Sequence, residues 1–130
     1  MLFAAGQRTK AEQESLDILN KIDNGQLGYE GVSGRWASYF MAQIMSSRNK
    51  KEESRGYYKK VIEFTNQTGR FDSGYYIASA YRMAEHYAMS DQPDLAIPLI
   101  KKIRANLKRR NPTYKKARAL EKQIRRNRRK

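Results

Sequence analysis

The same pattern of large and small residues recurs along this chain about every 42 residues, and that period constrains the fold more than any single motif. Three times a large apolar residue is followed nine positions later by a small one: Leu2 with Ala11, Met45 with Ser54, and Tyr87 with Ala96. Between the members of each pair lie a polar turn and the start of a new helix. A repeat of this length is one helical hairpin that cannot bury its apolar face alone, so successive hairpins must cover one another. Stacks of this kind present surfaces to partners more often than they carry chemistry, so the expected class is a binding module.

Helical periodicity runs through the whole chain, and no alternating strand pattern of useful length interrupts it. Helix signals cover Gln7–Asp23, then Val32 or Ser33 to Ser47, Lys51–Phe64, a segment opened by Asp72 or Ser73, a segment opened at Pro93, and Thr113–Asn127. In the first, Leu16, Leu19 and Ile22 form the expected buried face, beside Ala11, Ser15 and Ile18. Asn24-Gly25 supplies its stop, because both residues accept the left-handed conformation of a helix C-terminus. Gly25, Gly28, Gly31 and Gly34 mark a long flexible link. Gly56, inside a helix at a cost of about 1 kcal/mol relative to Ala, is expected where two helices approach closely. The fifth helix is expected to bury Leu95, Ala96, Leu99, Ile100, Ile103 and Leu107, and Pro98 to bend it or shorten its first turn. Tyr114, Ala117, Leu120 and Ile124 give the last helix its single apolar stripe. The expected class is all-α, with about six helices in antiparallel pairs.

The 130 residues fit one domain large enough to bury roughly two-thirds of its unfolded-chain surface. The absence of cysteine excludes disulfides and thiol chemistry and constrains no compartment. Charge is distributed very unevenly. Residues 1–100 hold 12 Lys/Arg and 12 Asp/Glu, whereas residues 101–130 hold 15 Lys/Arg against the single acid Glu121. The formal charge of +14 therefore belongs to the last thirty residues of an otherwise neutral chain.

Met83-Ala84, Tyr87, Ala96 and Ile100 follow one another at fixed spacing, as do Met41-Ala42, Met45, Ser54 and Tyr58 one unit earlier. In these positions the chain resembles the tetratricopeptide repeat family, with Leu2, Gly6 and Ala11 matching the end of a further unit. The resemblance covers about residues 2–108. It implies a right-handed stack of antiparallel helix hairpins, an α-solenoid. Residues 1–24 would be a partial first repeat, 32–66 a second, 73–108 a third, and 112–128 a basic capping helix. The period exceeds the family's 34 residues, which places the extra residues in loops. A first unit lacking most of its opening helix also predicts that the chain is the C-terminal part of a longer repeat protein.

The resemblance implies a concave groove lined by the first helix of each hairpin, which receives a protein or peptide. Carried over position by position, the groove residues are Trp36, Tyr39, Gln43 and Ser46 in one unit, and Ala78, Tyr81, Glu85 and Ala88 in the next. Aromatic anchors with few rotamers suit that task. The alternative surface is the cationic end. Lys108, Arg109, Arg110, Lys115, Lys116, Arg118, Lys122, Arg125 and Arg126 form a candidate anion-binding patch for nucleic acid or an anionic lipid surface. A basic last helix also serves solubility, by capping a stack with a polar face.

Catalytic signals are poor, and no enzyme activity is expected. His86 is the sole histidine and there is no Cys, so neither a metal site nor a cofactor is expected. The four spaced glycines lack the Gly-Lys-Ser/Thr of a phosphate loop. No apolar run is long enough to span a bilayer.

Overall fold

The computed structural model describes residues 5–25 and 32–128, with side chains from 9 to 25 and from 34 to 127. Among the described residues there are six α-helices and no strand: α1 (Ala5–Asp23), α2 (Val32–Ser47), α3 (Lys51–Thr68), α4 (Gly74–Met89), α5 (Pro93–Ala105) and α6 (Pro112–Arg128). The all-α class read from the sequence holds. The helices belong to two compact units, Met1–Gly69 and Arg70–Lys130. The boundary falls in the gap between the ranges read as the second and third repeats. Leu2 and the link residues 26–31 lie outside the described residues.

Each unit contains one hairpin with a three-residue turn, and the two turns are closed by the same device. After α2, Asn49 enters the left-handed region at φ 60°, and the Lys50 amide donates back to the Met45 carbonyl at 2.9 Å. After α4, Asp91 does the same at φ 57°, and the Gln92 amide donates to the Tyr87 carbonyl at 2.8 Å. Asn and Asp are among the few side chains that tolerate this backbone conformation. The next helix then starts on the carbonyls of those two donors: the Ser54 amide donates to Lys50 at 3.0 Å, and that of Ala96 to Gln92 at 3.3 Å. All four pairs of equivalent positions are separated by the 42-residue period of the sequence. The repeat is therefore present in the backbone hydrogen bonding.

The small residues of the two hairpins are buried, whereas Ala11 of α1 is only half-buried. Ala42, Ala84 and Ala96 are 0% exposed and Ser54 is 4%. Between α2 and α3, the Ser54 hydroxyl donates to the Ala42 carbonyl at 2.7 Å, a bond possible only where the two helices cross closely. In the first unit Leu19, Ala37, Met41, Ile44 and Met45 form the core, edged by Ile18, Trp36, Phe40, Tyr57 and Phe64. α1 packs on α2. It is also tied to the hairpin turn by a two-pronged ion pair, Arg48 Nη1 and Nη2 to Glu12 Oε1 and Oε2 at 2.8 and 2.7 Å. In the second unit Tyr76, Ile77, Ala80, Ala84, Ala96, Ile100, Ile103, Ala117 and Ile124 form one cluster contributed by α4, α5 and α6.

Several expectations are corrected. Leu16 and Leu95 are 38% and 51% exposed, because Ser15, Leu19, Ala96 and Ile100 take the inward positions of α1 and α5. α3 runs to Thr68 rather than Phe64 and stops at Gly69, whose φ of 76° provides the left-handed cap. Ser73 occupies the N-cap of α4 without a side-chain cap bond. α5 continues through Pro98, and Leu107 lies beyond its end at Ala105. Gly56 is exposed, with no atom near the place of a Cβ, so it does not mark close packing. That role belongs to Gly34, which lies inside α2 and not in the flexible link. A Cβ on Gly34 would stand 2.8 Å from the Phe64 ring of α3.

The two glycines should respond oppositely to substitution. Gly56→Ala is expected to raise stability by about 0.5–1 kcal/mol through helix propensity. Gly34→Val should lower it by about 1–3 kcal/mol, since the ring of Phe64 must be displaced. Urea unfolding followed by circular dichroism measures both.

Candidate functional site

Two surfaces answer to the residues singled out in the sequence. In the first unit, Trp36, Tyr39 and Gln43 share one side of α2. Trp36 is half-buried and stacks at a tilt on Phe40, with ring centroids 5.4 Å apart. Tyr39 is half-buried and meets Tyr58 edge-on at 6.2 Å. The exposed Gln43 amide donates to the Tyr39 hydroxyl at 2.9 Å, which fixes the phenol on the α2 surface. These three residues are brought together. In the second unit, Tyr81 and Glu85 lie one helical turn apart on α4, both half-buried. Burial, with a smaller contribution from the Glu85 charge, pushes the Tyr81 phenol above its ordinary pKa. Glu85 also lies 3.6 Å from Arg82. Each set pairs an aromatic body with a polar group at its rim.

The second surface is cationic and belongs to the second unit. All nine residues of the patch read from the sequence are exposed. Glu121, the one acid among them, is buried at 8% exposure. Its Oε2 accepts from Arg104 Nη1 at 3.2 Å and lies 3.3 Å from Arg125 Nη2. Arg104 reaches across from α5 and also donates to the Tyr114 hydroxyl at 3.3 Å, with its guanidinium 5.2 Å from that ring. The bond from Arg104, with the charges of Arg104, Arg109 and Arg118, holds the Tyr114 phenol below its ordinary pKa. The bond to Tyr114 and the Glu121 charge in turn raise Arg104. At the head of α6 the Asn111 side chain accepts the Thr113 amide at 2.8 Å, with Pro112 as the first helical residue.

Sequence reading missed this Arg104–Tyr114–Glu121 bridge. The signal was available: Glu121 sits seven residues after Tyr114 and four after Ala117, on the inward stripe of α6. A lone acid at an inward position among fifteen cations calls for an internal partner. Its burial has a consequence for the surface. Among the described residues, only Arg125 of the nine patch cations has a carboxylate within ion-pair distance. Lys102 is engaged differently, with its ammonium 3.8 Å above the Phe71 ring.

A hollow of about 260 Å³ in the second unit is lined by Asp72, Gly74, Ile77, Ala78, Leu107, Asn111 and Thr113. It offers one carboxylate, itself 3.4 Å from Arg70. Among the described residues no group of three His, Cys, Asp or Glu side chains is placed to hold a metal ion. No helix among them is long and apolar enough to cross a membrane. No family model, curated protein or solved structure matches the chain.

Neutralising Glu121 should remove the clasp between α5 and α6. Glu121→Gln leaves Arg104 short of a counter-charge and is expected to lower stability by about 1–3 kcal/mol in urea unfolding. Arg126→Gln, at an exposed position on the same helix, should change it by less than about 0.5 kcal/mol.

Proposed function

We propose that this chain is a non-catalytic helical-repeat scaffold, built as a right-handed stack of antiparallel hairpins of the tetratricopeptide type, which holds a protein or peptide partner. What supports the reading is the repetition of one hairpin in both units, with a left-handed residue at the equivalent turn position, the same backbone closure and buried small residues at equivalent positions. A chain that builds one scaffold element twice uses the variable faces of its helices for recognition.

The partner-facing set in this reading is Trp36, Tyr39 and Gln43 on α2, with Tyr81 and Glu85 on α4. Trp36 and Tyr39 are anchored by ring contacts to Phe40 and Tyr58, so binding would order little that is loose beforehand. Gln43 and Glu85 would supply hydrogen bonds at the edge of the aromatic surface. An extended or helical peptide with apolar side chains on one face fits each of these two sets.

The test is selection of peptides from a displayed random library on the full chain, followed by affinity measurements on variants. Tyr39→Ala should weaken peptides held by the α2 set at least tenfold, and Tyr81→Ala those held by the α4 set, while Met89→Ala, at a residue 87% exposed outside both sets, leaves affinity unchanged. Helicity must be retained in each. Collapse of helicity in Tyr39→Ala would make that ring part of the core and contradict its assignment to a partner surface, as would full affinity in both tyrosine variants.

A further inference from the structure

A charged helix that merely closes a fold has no reason to separate its cations from its acids, yet in α6 only Arg125 shares a carboxylate, that of Glu121. Tyr114, Ala117, Glu121 and Ile124 form its inward stripe, and the only carboxylate is among them. Lys115, Arg118, Lys122, Arg125 and Arg126 are all exposed. At 100° per residue these five fall within about 100° of arc, as one stripe about 16 Å long. Arg109 and Arg110 are exposed in the turn just before α6 and add two cations at its head.

The shape of this surface discriminates among anionic partners. An amphipathic helix that lies on a lipid surface inserts an apolar face, but the apolar stripe of α6 is packed in the core with α4 and α5. Its outward positions carry charged and polar groups with Ala119, and no aromatic ring on which an unpaired base could stack. Guanidinium groups, which supply most of the stripe and the turn, match phosphate oxygens as planar forks. What remains is a row of cations suited to regularly spaced phosphates whose bases are already paired.

We infer that the exposed cation stripe of α6 is a site for the phosphate backbone of double-stranded nucleic acid, read by charge and spacing and not by base sequence. Glu121 is taken up by Arg104 and Arg125, so among the described residues Lys115, Arg118, Lys122 and Arg126 have no carboxylate within ion-pair distance. This site is separate from the aromatic sets on α2 and α4, and either can exist without the other.

The experiment is fluorescence anisotropy of the full chain with 20-base-pair DNA and RNA duplexes, a single strand of the same sequence, phosphatidylserine vesicles and polyglutamate. Binding to at least one duplex is expected, with affinity falling about 500-fold between 50 and 200 mM salt for about five phosphate contacts. Replacing Lys115, Arg118, Lys122 and Arg126 by Gln should weaken duplex binding more than 100-fold at 50 mM salt and flatten the salt slope by about 3.6. Replacing Lys10, Lys50, Lys51 and Lys59 by Gln removes the same charge at exposed positions of the first unit and should change affinity less than threefold. Circular dichroism must show unchanged helicity in both. The inference is overturned by any of four results: no duplex binding at 50 mM salt, equal loss in the two variant sets, tighter binding of single strand or vesicles, or polyglutamate competing as well as duplex.

Discussion

Two helices of a hairpin can approach closely only where the side chains between them are small, and both hairpins here depend on such a point. In the first unit Ala42 and Ser54 are buried where α2 and α3 meet, and Ser54 donates directly to the Ala42 carbonyl. In the second, Ala84 and Ala96 occupy the equivalent positions of α4 and α5, fully buried in one cluster. Close approach is what lets the larger residues beside these positions interlock. Met41, Met45 and Tyr58 become buried around the first crossing, and Met83 and Ile100 around the second. The left-handed turn residues Asn49 and Asp91 act with the crossing, because they set where the second helix begins and so which of its residues is small.

The elements that were legible from sequence are those governed by local chemistry or by this repeat. Asn24-Gly25 stops α1 with Gly25 at φ 75°, as its residue types require. The hairpins follow from nine-residue spacing and short polar turns. The misassigned positions share a physical reason: their environment is set by a neighbouring helix. Leu16 and Leu95 are as apolar as the residues beside them, and only the direction of packing leaves them exposed. Gly34 looked like one more glycine of a loop, and the Phe64 ring that makes it necessary lies thirty residues away. Gly56 is the converse, a glycine whose surroundings would admit a larger residue.

The candidate surfaces divide along the same line. Exposure of the nine cations followed from the composition of the last thirty residues, because a charged side chain leaves water only with a partner. Glu121 was that partner for Arg104; its inward position could be read from its spacing to Tyr114 and Ala117, but its partner only once α6 had been placed on α5. The aromatic sets were legible as positions on α2 and α4, but not their local anchoring. Tyr39 is held between Tyr58 and Gln43, and that arrangement follows from how α3 packs on α2. A surface that owes its order to a neighbouring helix is stiffer than one of free side chains, which suits recognition.

Both hairpins stand or fall on their helix crossings. Ala42→Leu and Ala84→Leu insert the same bulk at equivalent points of the two hairpins, and Ala119→Leu inserts it at an exposed point of α6. Urea unfolding of the three variants should show both crossing substitutions destabilising by about 1–3 kcal/mol or more, with Ala119→Leu within about 0.5 kcal/mol of the parent chain. If Ala42→Leu or Ala84→Leu unfolded at the same urea concentration as the parent chain, the helices would not meet where the 42-residue repeat places them.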